Sequence, residues 1–188
     1  AAIIDDLHSP SVMSVLDGIE DTAYEWGYTL YMANLNQKAE KEEYYINSLL
    51  SNQVAGVLIQ PTGSHKDLYI QLHSILPVVF IDRSFADVPI SSASPDHKTG
   101  ALLATRHLVS HGHRKIGVIG APLNLTPGHM RLQGFLDAAD ELNVSTEKRF
   151  IRVGPSTREF GYQAAHQLLE QNSDMTALYV TTSSLTVG

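Results

Sequence analysis

The sequence predicts an α/β protein built of two halves, each with a parallel β-sheet flanked by helices. Two observations support this fold class. Short apolar runs alternate with helical patterns along all 188 residues, which is typical of successive βαβ units. The alternation loosens between residues 82 and 96, where Pro89 and Pro95 lie, and then restarts in the same order. We therefore expect one domain at residues 1–96 and a second at residues 97–188.

The first half is predicted to contain four βα repeats, beginning with a buried strand at residues 1–4. Ser9 is a suitable N-cap for the first helix, Pro10 suits its first position, and Gly27 closes it. The apolar face of this helix is formed by Val12, Val15, Leu16, Ile19, Ala23 and Trp26. The remaining strands are expected at 28–33, 55–59 and 78–81, and the remaining helices at 39–52 and 66–75.

The second half is predicted to repeat this pattern with only three strands. Helices are expected at 97–111, 127–142 and 157–171, and strands at 116–119, 150–153 and 177–180. No helix is expected after Val180. Because a parallel sheet needs helices on both faces, we expect natural sequence to continue beyond Gly188. The buried strand at Ala1 leads us to expect natural sequence before it as well.

The composition excludes several classes of protein. The chain has 13 Lys and Arg against 20 Asp and Glu, and this net charge of −7 is the wrong sign for a surface that binds DNA phosphates. It has no cysteine. It also lacks a leader pattern and any apolar run near the roughly 20 residues that span a bilayer. We expect a cytoplasmic protein without membrane contact and without DNA contact of its own.

Candidate ligand-binding residues lie in the loops after the predicted strands, because ligands of open α/β sheets bind beyond the carboxyl ends of the strands. Hydrogen-bonding side chains there suit a ligand rich in hydroxyls, and they are equally typical of surface loops. In chain order they are Asp5, Asp6, His8, Ser9, Gln60, Thr62, Ser64, Asp82, Arg83, Asn124 and Thr126.

Arg131 lies in the first turns of a predicted helix, one loop beyond a strand. Its guanidinium either binds hydroxyls or a carboxylate of a ligand or forms a surface salt bridge. Asp96 is a typical N-cap, and His97 beside it either stacks on a flat ligand or faces solvent. The three histidines between residues 107 and 113 have metal-like spacing but no accompanying carboxylate. We interpret His107, His111 and His113 as helix-end residues and expect no metal.

No motif predicts catalysis or a cofactor. The chain has no G-x-S-x-G elbow, no G-x-x-x-x-G-K-[ST] loop and no G-x-G-x-x-G after the first strand. The loop after the strand at 116–119 contains Pro122, which lacks the amide that a nucleotide-binding loop would use. We therefore expect neither an enzyme nor a cofactor-binding protein.

Several segments match known motifs in order along essentially the whole chain. Residues 108–116 (LVSHGHRKI) are similar to hLi..GHrrIa.i.G, and residues 131–135 (RLQGF) to R..Gf. Residues 54–59 (VAGVLI) are similar to vdGiIl, residues 77–83 (PVVFIDR) to iPvV.iDR, and the turn at residues 9–12 to sNPff. Together these motifs resemble the LacI/GalR (lactose-repressor) family of transcriptional regulators.

The resemblance implies two periplasmic-binding-protein-like, Rossmann-like subdomains around an effector cleft. It also implies a homodimer, a small-molecule effector such as a sugar or related metabolite, and operator DNA bound only through a helix-turn-helix headpiece that this chain lacks. Arg131 would be the main polar anchor of the effector. The predicted effector-binding residues, from the loops and from the resemblance together, are Asp6, Ser9, Ser11, Val12, Arg83, His97, Asn124, Arg131 and Ser183.

The chain departs from the family pattern where the family has TAifaaNDxmAiG. Ser183 stands in place of the Asp, which in many sugar-responsive members accepts hydrogen bonds from ligand hydroxyls. Ser11 and Val12 replace bulky aromatic residues and so remove a stacking platform. These differences argue against an ordinary sugar effector, and a protein co-regulator in place of a small molecule stays open.

The sequence thus predicts the effector-binding and dimer-forming core of a bacterial LacI-type transcription repressor. In this interpretation a bound small molecule changes operator affinity allosterically. The alternative is a periplasmic sugar-binding protein of a transporter, which shares the architecture. A sugar- or nucleotide-processing enzyme is a third possibility, and it would need a paired acid and base or a phosphate loop.

Overall fold

The computed structural model describes residues 1–7, 9–36 and 38–188. These residues form two compact units, unit 1 at Ala1–Ser94 and unit 2 at Pro95–Gly188. Each unit contains one parallel sheet with helices between its strands. The predicted fold class, parallel sheets flanked by helices, is therefore confirmed.

The described residues of unit 1 form five strands and three helices. The strands are β1 (Ala2–Ile4), β2 (Met32–Asn34), β3 (Val57–Ile59), β4 (Val78–Ile81) and β5 (Ser92–Ala93). The helices are α1 (Pro10–Glu25), α2 (Ala39–Ser51) and α3 (Lys66–Ile75). The strands are all parallel in the order β2-β1-β3-β4-β5. Because all five strands are parallel, their carboxyl ends share one edge of the sheet.

The core of unit 1 lies between the sheet and the two helices that follow β2 and β3. Ile3, Ile59 and Phe80 from the strands are fully buried against Ile46 of α2 and Tyr69 of α3. The Tyr69 and Phe80 rings meet edge to face with centroids 5.3 Å apart. A second group of buried residues, on the other face of the sheet, contains Ile4 of β1 and Leu16 of α1.

Unit 2 contains three strands and four helices. The strands are β6 (Ile116–Gly120), β7 (Ile151–Val153) and β8 (Ala177–Val180), all parallel in the order β7-β6-β8. The helices are α4 (His97–Ser110), α5 (Thr126–Glu141), α6 (Arg158–Gln171) and α7 (Ser183–Val187), and a 3₁₀ turn at Lys148–Phe150 precedes β7. The central strand β6 is buried along its whole length, as expected for a strand covered on both faces.

Two predictions about the first half were wrong in detail. β2 begins at Met32 and not at residue 28, because only three residues of β1 are available to pair with it, in the register Ala2↔Met32. The apolar face of α1 is narrower than its sequence pattern indicates. Leu16 is buried, but Val15 is 43% exposed and Trp26, just beyond the helix end, is 75% exposed.

Capping at the helix starts also differs from the prediction at one position. Ser9 is the N-cap residue of α1, but its hydroxyl pairs with the hydroxyl of Ser11 at 2.9 Å and makes no capping bond to the backbone. Asp96 caps α4 as predicted, and its carboxylate accepts the Thr99 N–H at 3.0 Å.

The prediction that no helix follows Val180 was wrong. α7 begins at Ser183, and the Thr182 hydroxyl accepts the Leu185 N–H at 3.3 Å as a side-chain N-cap. Leu185 is buried in the core group that contains Ile119 and Leu168. The run of Ser and Thr between residues 181 and 186 concealed this helix, since only Leu185 in it carries an apolar signal.

Candidate functional site

The carboxyl edge of the unit 1 sheet carries a buried ion pair between Asp5, after β1, and Arg83, after β4. Arg83 Nη2 donates to Asp5 Oδ2 at 2.6 Å, and Nη1 donates to the carbonyl of Pro61 at 2.9 Å. Both side chains are only slightly exposed, at 13% and 11%. The Arg83 guanidinium therefore cross-links three loops of this edge.

Gln60 extends this network from the end of β3. Its side-chain carbonyl accepts the Asp5 N–H and its amide donates to Asp82 Oδ2, both at 3.2 Å. Asp82 has a positive φ of 64°, a left-handed conformation that Asp tolerates better than most residues. The loops after β1, β3 and β4 are thus joined side chain to side chain, and the predicted site residue Arg83 belongs to the framework that holds them.

A fully buried carboxylate, Glu42 of α2, holds the loop after β3. Its oxygens accept the Thr62 N–H at 2.9 Å and the Thr62 hydroxyl at 2.6 Å, and His65 Nδ1 lies 3.1 Å away. Burial, followed by the nearby Glu42 carboxylate, raises the pKa of Tyr69, whose hydroxyl accepts the Gly63 N–H. Glu42 therefore fixes the conformation of a loop that contains the candidate residue Thr62.

Glu42 was not among the residues predicted from the sequence. Glu42 shares the inner face of α2 with Ile46 and Leu49, which lie four and seven residues further along. A charged residue on an apolar helical stripe is the signal that would have identified it.

The turn that begins α1 presents Ser9, Ser11 and Val12 at the same edge of the unit 1 sheet. Ser11 is exposed, whereas Ser9 and Val12 are half-buried. Asp6, in the preceding loop, is half-buried and has an interaction partner. His8, which the sequence placed among these candidates, lies outside the described residues.

Arg131 of α5 is the central side chain at the carboxyl edge of the unit 2 sheet. Its Nη1 donates to the carbonyl of Thr181, just after β8, at 2.8 Å, and its Nη2 lies 3.2 Å from His97 Nδ1 at the start of α4. Because a guanidinium can only donate, His97 Nδ1 accepts, and the neutral ring carries its proton on Nε2. His97 is buried, so the solvent-facing alternative for it was wrong.

Close packing between α4 and α5 brings these two residues together. A Cβ on Gly134 would overlap the backbone carbonyl of Lys98 and lie only 3.0 Å from the Ala101 Cβ. Glycine at this position therefore permits the helices to approach within backbone contact. Asp96 fixes the first turn of α4, which contains His97, by accepting the Thr99 N–H.

The loops after β6 and β8 are joined beside Arg131. The Thr181 hydroxyl accepts the Ala121 N–H at 3.0 Å, and both residues are buried. Asn124 and Ser183, the two other predicted site residues of this edge, are exposed. Burial raises the pKa of Tyr179 of β8, and the Arg131 guanidinium partly opposes this effect.

Within the described residues Arg131 forms no salt bridge, so the interpretation of Arg131 as a surface ion pair is wrong.

The histidines near the end of α4 form hydrogen bonds with nearby groups. His111 Nδ1 lies 2.9 Å from the His107 carbonyl, and His113 Nδ1 lies 3.0 Å from the Thr176 hydroxyl. Among residues 1–7, 9–36 and 38–188, no group of three or more His, Cys, Asp or Glu is arranged to hold a metal ion.

Two parallel α/β units with polar side chains at the carboxyl edges of their sheets form a periplasmic-binding-protein-like domain. The chain belongs to the family described as periplasmic binding proteins and sugar binding domain of LacI family, whose sequence model matches residues 1–188.

The chain is similar to bacterial transcription regulators. It is 32% identical over 178 residues to the HTH-type transcriptional repressor PurR of Photorhabdus laumondii, a match that covers 91% of this chain and 51% of PurR. It thus spans about half the length of the curated relatives it matches. The transcription regulator CcpA of Lactococcus lactis superposes with a TM-score of 0.88 at 26% identity, covering 99% of this chain and 69% of CcpA.

A probable LacI family transcriptional regulator from Corynebacterium glutamicum shares the fold, with a TM-score of 0.92 at 22% identity over 99% of this chain and 71% of the regulator. The similarity to PurR and CcpA favours the transcription-regulator prediction over the periplasmic transport protein. None of the helices in the described part of the chain is long and apolar enough to span a membrane.

Proposed function

We propose that this chain is the effector-binding and dimer-forming part of a bacterial transcription repressor that acts in the cytoplasm and is not an enzyme. Membership of the family and the similarity to PurR support a role in transcription. The chain spans about half of PurR and carries a net charge of −7. We therefore assign operator contact to a helix-turn-helix headpiece outside residues 1–188.

The observation that carries the effector proposal is the position of Arg131. Its guanidinium has five N–H donors in a planar fork. In the described residues it donates through Nη1 to Thr181 and through Nη2 to His97. Further N–H groups are therefore left to donate to a ligand beyond the carboxyl ends of β6 and β8, which is where open α/β sheets bind ligands.

Arg131 also connects the elements that would respond to a ligand. It links α5 to the loop after β8 and to the first residue of α4. A ligand held by this guanidinium therefore stabilises one arrangement of three elements. Such a ligand changes operator affinity only if it binds two conformational states unequally, and about 1–3 kcal/mol of coupling is typical.

Calorimetric titration of the protein at its full natural length tests this proposal, with sugars, sugar phosphates and nucleosides as the ligands. We expect saturable binding of one class, with affinity falling about 100-fold in Arg131→Ala because charge-assisted hydrogen bonds are lost. Arg106→Ala is the matched control, since Arg106 of α4 pairs only at the surface with Glu141. Failure to find any ligand whose binding depends on Arg131 contradicts the effector proposal.

The homodimer is supported by an exposed aromatic patch in unit 1. Within nine residues, five large apolar side chains are 61–79% exposed. The members of this aromatic patch are Tyr24, Trp26, Tyr28, Tyr31 and Met32. Tyr, Trp and Met are enriched at protein interfaces, and β2 lies at an edge of its sheet.

Sedimentation velocity tests whether this patch pairs two copies of the chain. Trp26→Ser together with Met32→Lys should shift the full-length protein from dimer toward monomer. Tyr44→Ser is the control, because Tyr44 of α2 is 68% exposed but lies outside the patch. An unchanged dimer in the patch variant assigns the dimer contact to another surface.

A further inference from the structure

Arg131 has no acidic partner within the described residues, whereas four other cations of unit 2 do. These four form ion pairs at the surface: Lys98 with Asp137, Arg106 with Glu141, Lys115 with Asp174, and Arg149 with Glu147 and Asp174. Arg131 is half-buried, and its acceptors in the described residues are a carbonyl and a neutral imidazole. Its positive charge is therefore not compensated within the described residues.

The loops that follow the three strands of unit 2 contain no carboxylate. The segments after β6, β7 and β8, residues 121–125, 154–157 and 181–182, have no Asp or Glu. Two acidic residues lie close to this edge in sequence: Asp96, which precedes His97 and caps α4 through Thr99, and Glu159, which is exposed in the first turn of α6. This edge of unit 2 is therefore locally cationic.

Ser183, at the start of α7, is a further uncharged residue near Arg131. It is exposed and lies two residues after Thr181, whose carbonyl Arg131 contacts. A hydroxyl donates and accepts without charge, whereas a carboxylate at this position would accept hydrogen bonds from a neutral polyol and repel an anion. Serine here removes that repulsion.

We propose that the effector is an anion that places a phosphate or carboxylate group on the Arg131 guanidinium. This inference rests on the proposed function and specifies its ligand class. A planar guanidinium fork binds either group through two parallel charge-assisted hydrogen bonds. A neutral sugar would leave the charge of a half-buried guanidinium without a counter-ion, which is unfavourable in a partly desolvated site.

The test uses the full-length protein and two simple anions, inorganic phosphate and acetate, at constant ionic strength set with chloride. Thermal unfolding is followed as each anion replaces chloride. We expect phosphate or acetate to raise Tm saturably in the wild-type protein and not in Arg131→Gln. The arm that shows the effect identifies the anionic group. Equal Tm shifts in wild type and Arg131→Gln overturn the inference.

Ser183→Asp provides the specificity test. Asp is favourable in the first turn of a helix, so this variant retains the fold. It should weaken anion binding at least about tenfold, through like-charge repulsion, while Ser183→Asn leaves it nearly unchanged. Equal anion affinities in the two variants also overturn the inference.

The outcome separates this inference from the function on which it rests. A neutral sugar that binds wild type better than its phosphorylated form, with affinity lost in Arg131→Ala, overturns the anion and leaves the effector site intact. When neither neutral nor charged ligands show binding that depends on Arg131, the effector site itself is wrong.

Discussion

Units 1 and 2 place an arginine at the carboxyl edge of a parallel sheet, but the two arginines have different partners. Arg83 of unit 1 is paired with Asp5 and is largely buried. Arg131 of unit 2 contacts only neutral acceptors in the described residues. Both residues were predicted to bind the effector from their positions in the fold. The difference shows that position in the fold selects candidate residues. Nearby acidic residues then decide whether a guanidinium is already paired or is available to a ligand.

The contrast extends to the whole charge of each unit. Unit 1 has four Lys and Arg against twelve Asp and Glu, a net charge of −8, whereas unit 2 has nine against eight, a net charge of +1. The fold does not cause this difference, because both sheets place their first strand between the second and the third, as β2-β1-β3 and β7-β6-β8. The charge is a property of the side chains added to a repeated framework.

Removing each arginine in turn should give the largest contrast. Arg83→Ala leaves the Asp5 carboxylate buried without its cation, which should lower the free energy of unfolding by about 3 kcal/mol. Arg131→Ala removes two hydrogen bonds to neutral groups and should cost about 1 kcal/mol. Urea unfolding measures both. Similar losses for the two variants would show that the Asp5–Arg83 pair is not a stabilising framework.

The strands and most helices of both units followed from the periodicity of the sequence, because buried parallel strands form continuous apolar runs. The remainder depended on tertiary contacts. Glu42 is buried and holds the loop that contains Thr62 and His65. His97 is buried, and Arg131 of α5 lies beside it. The apolar stripe of α2 could have marked Glu42 as buried. The residues that contact Glu42 and His97 could not be predicted from residue type and spacing, because they come from distant segments of the chain.

Replacing a helix glycine by alanine should change the free energy of unfolding in opposite directions in the two units. Gly134→Ala in α5 forces a Cβ into the Lys98 carbonyl and should lower the free energy of unfolding by about 2 kcal/mol. A Cβ on Gly18 of α1 meets nothing within 4 Å, so Gly18→Ala should raise it by about 0.5–1 kcal/mol through better helix propensity. The same urea titrations compare them. An unchanged free energy of unfolding in Gly134→Ala would mean that α4 and α5 separate readily. Close packing of these helices would then not explain the contact between Arg131 and His97.

The smallest effect on stability should come from removing exposed ion pairs at the amino-terminal edge of the unit 2 sheet, opposite Arg131. Arg149, followed by Lys115, holds the pKa of Asp174 well below its usual range. A carboxylate with a lowered folded-state pKa contributes stability above its unfolded-state pKa and loses that contribution as pH falls toward the folded-state pKa. Asp174→Asn should therefore lower the urea midpoint slightly at neutral pH.

The difference between wild type and Asp174→Asn should shrink as pH falls from about 5 to about 2, and as salt is added, because the partners are solvent-exposed. A difference that is independent of both pH and salt would point to packing of the side chain and not to its charge. The dependence on salt also separates this pair from Asp5–Arg83, because screening acts much less on a buried pair. Ion pairs of similar length in the two units should thus respond differently to the same salt titration.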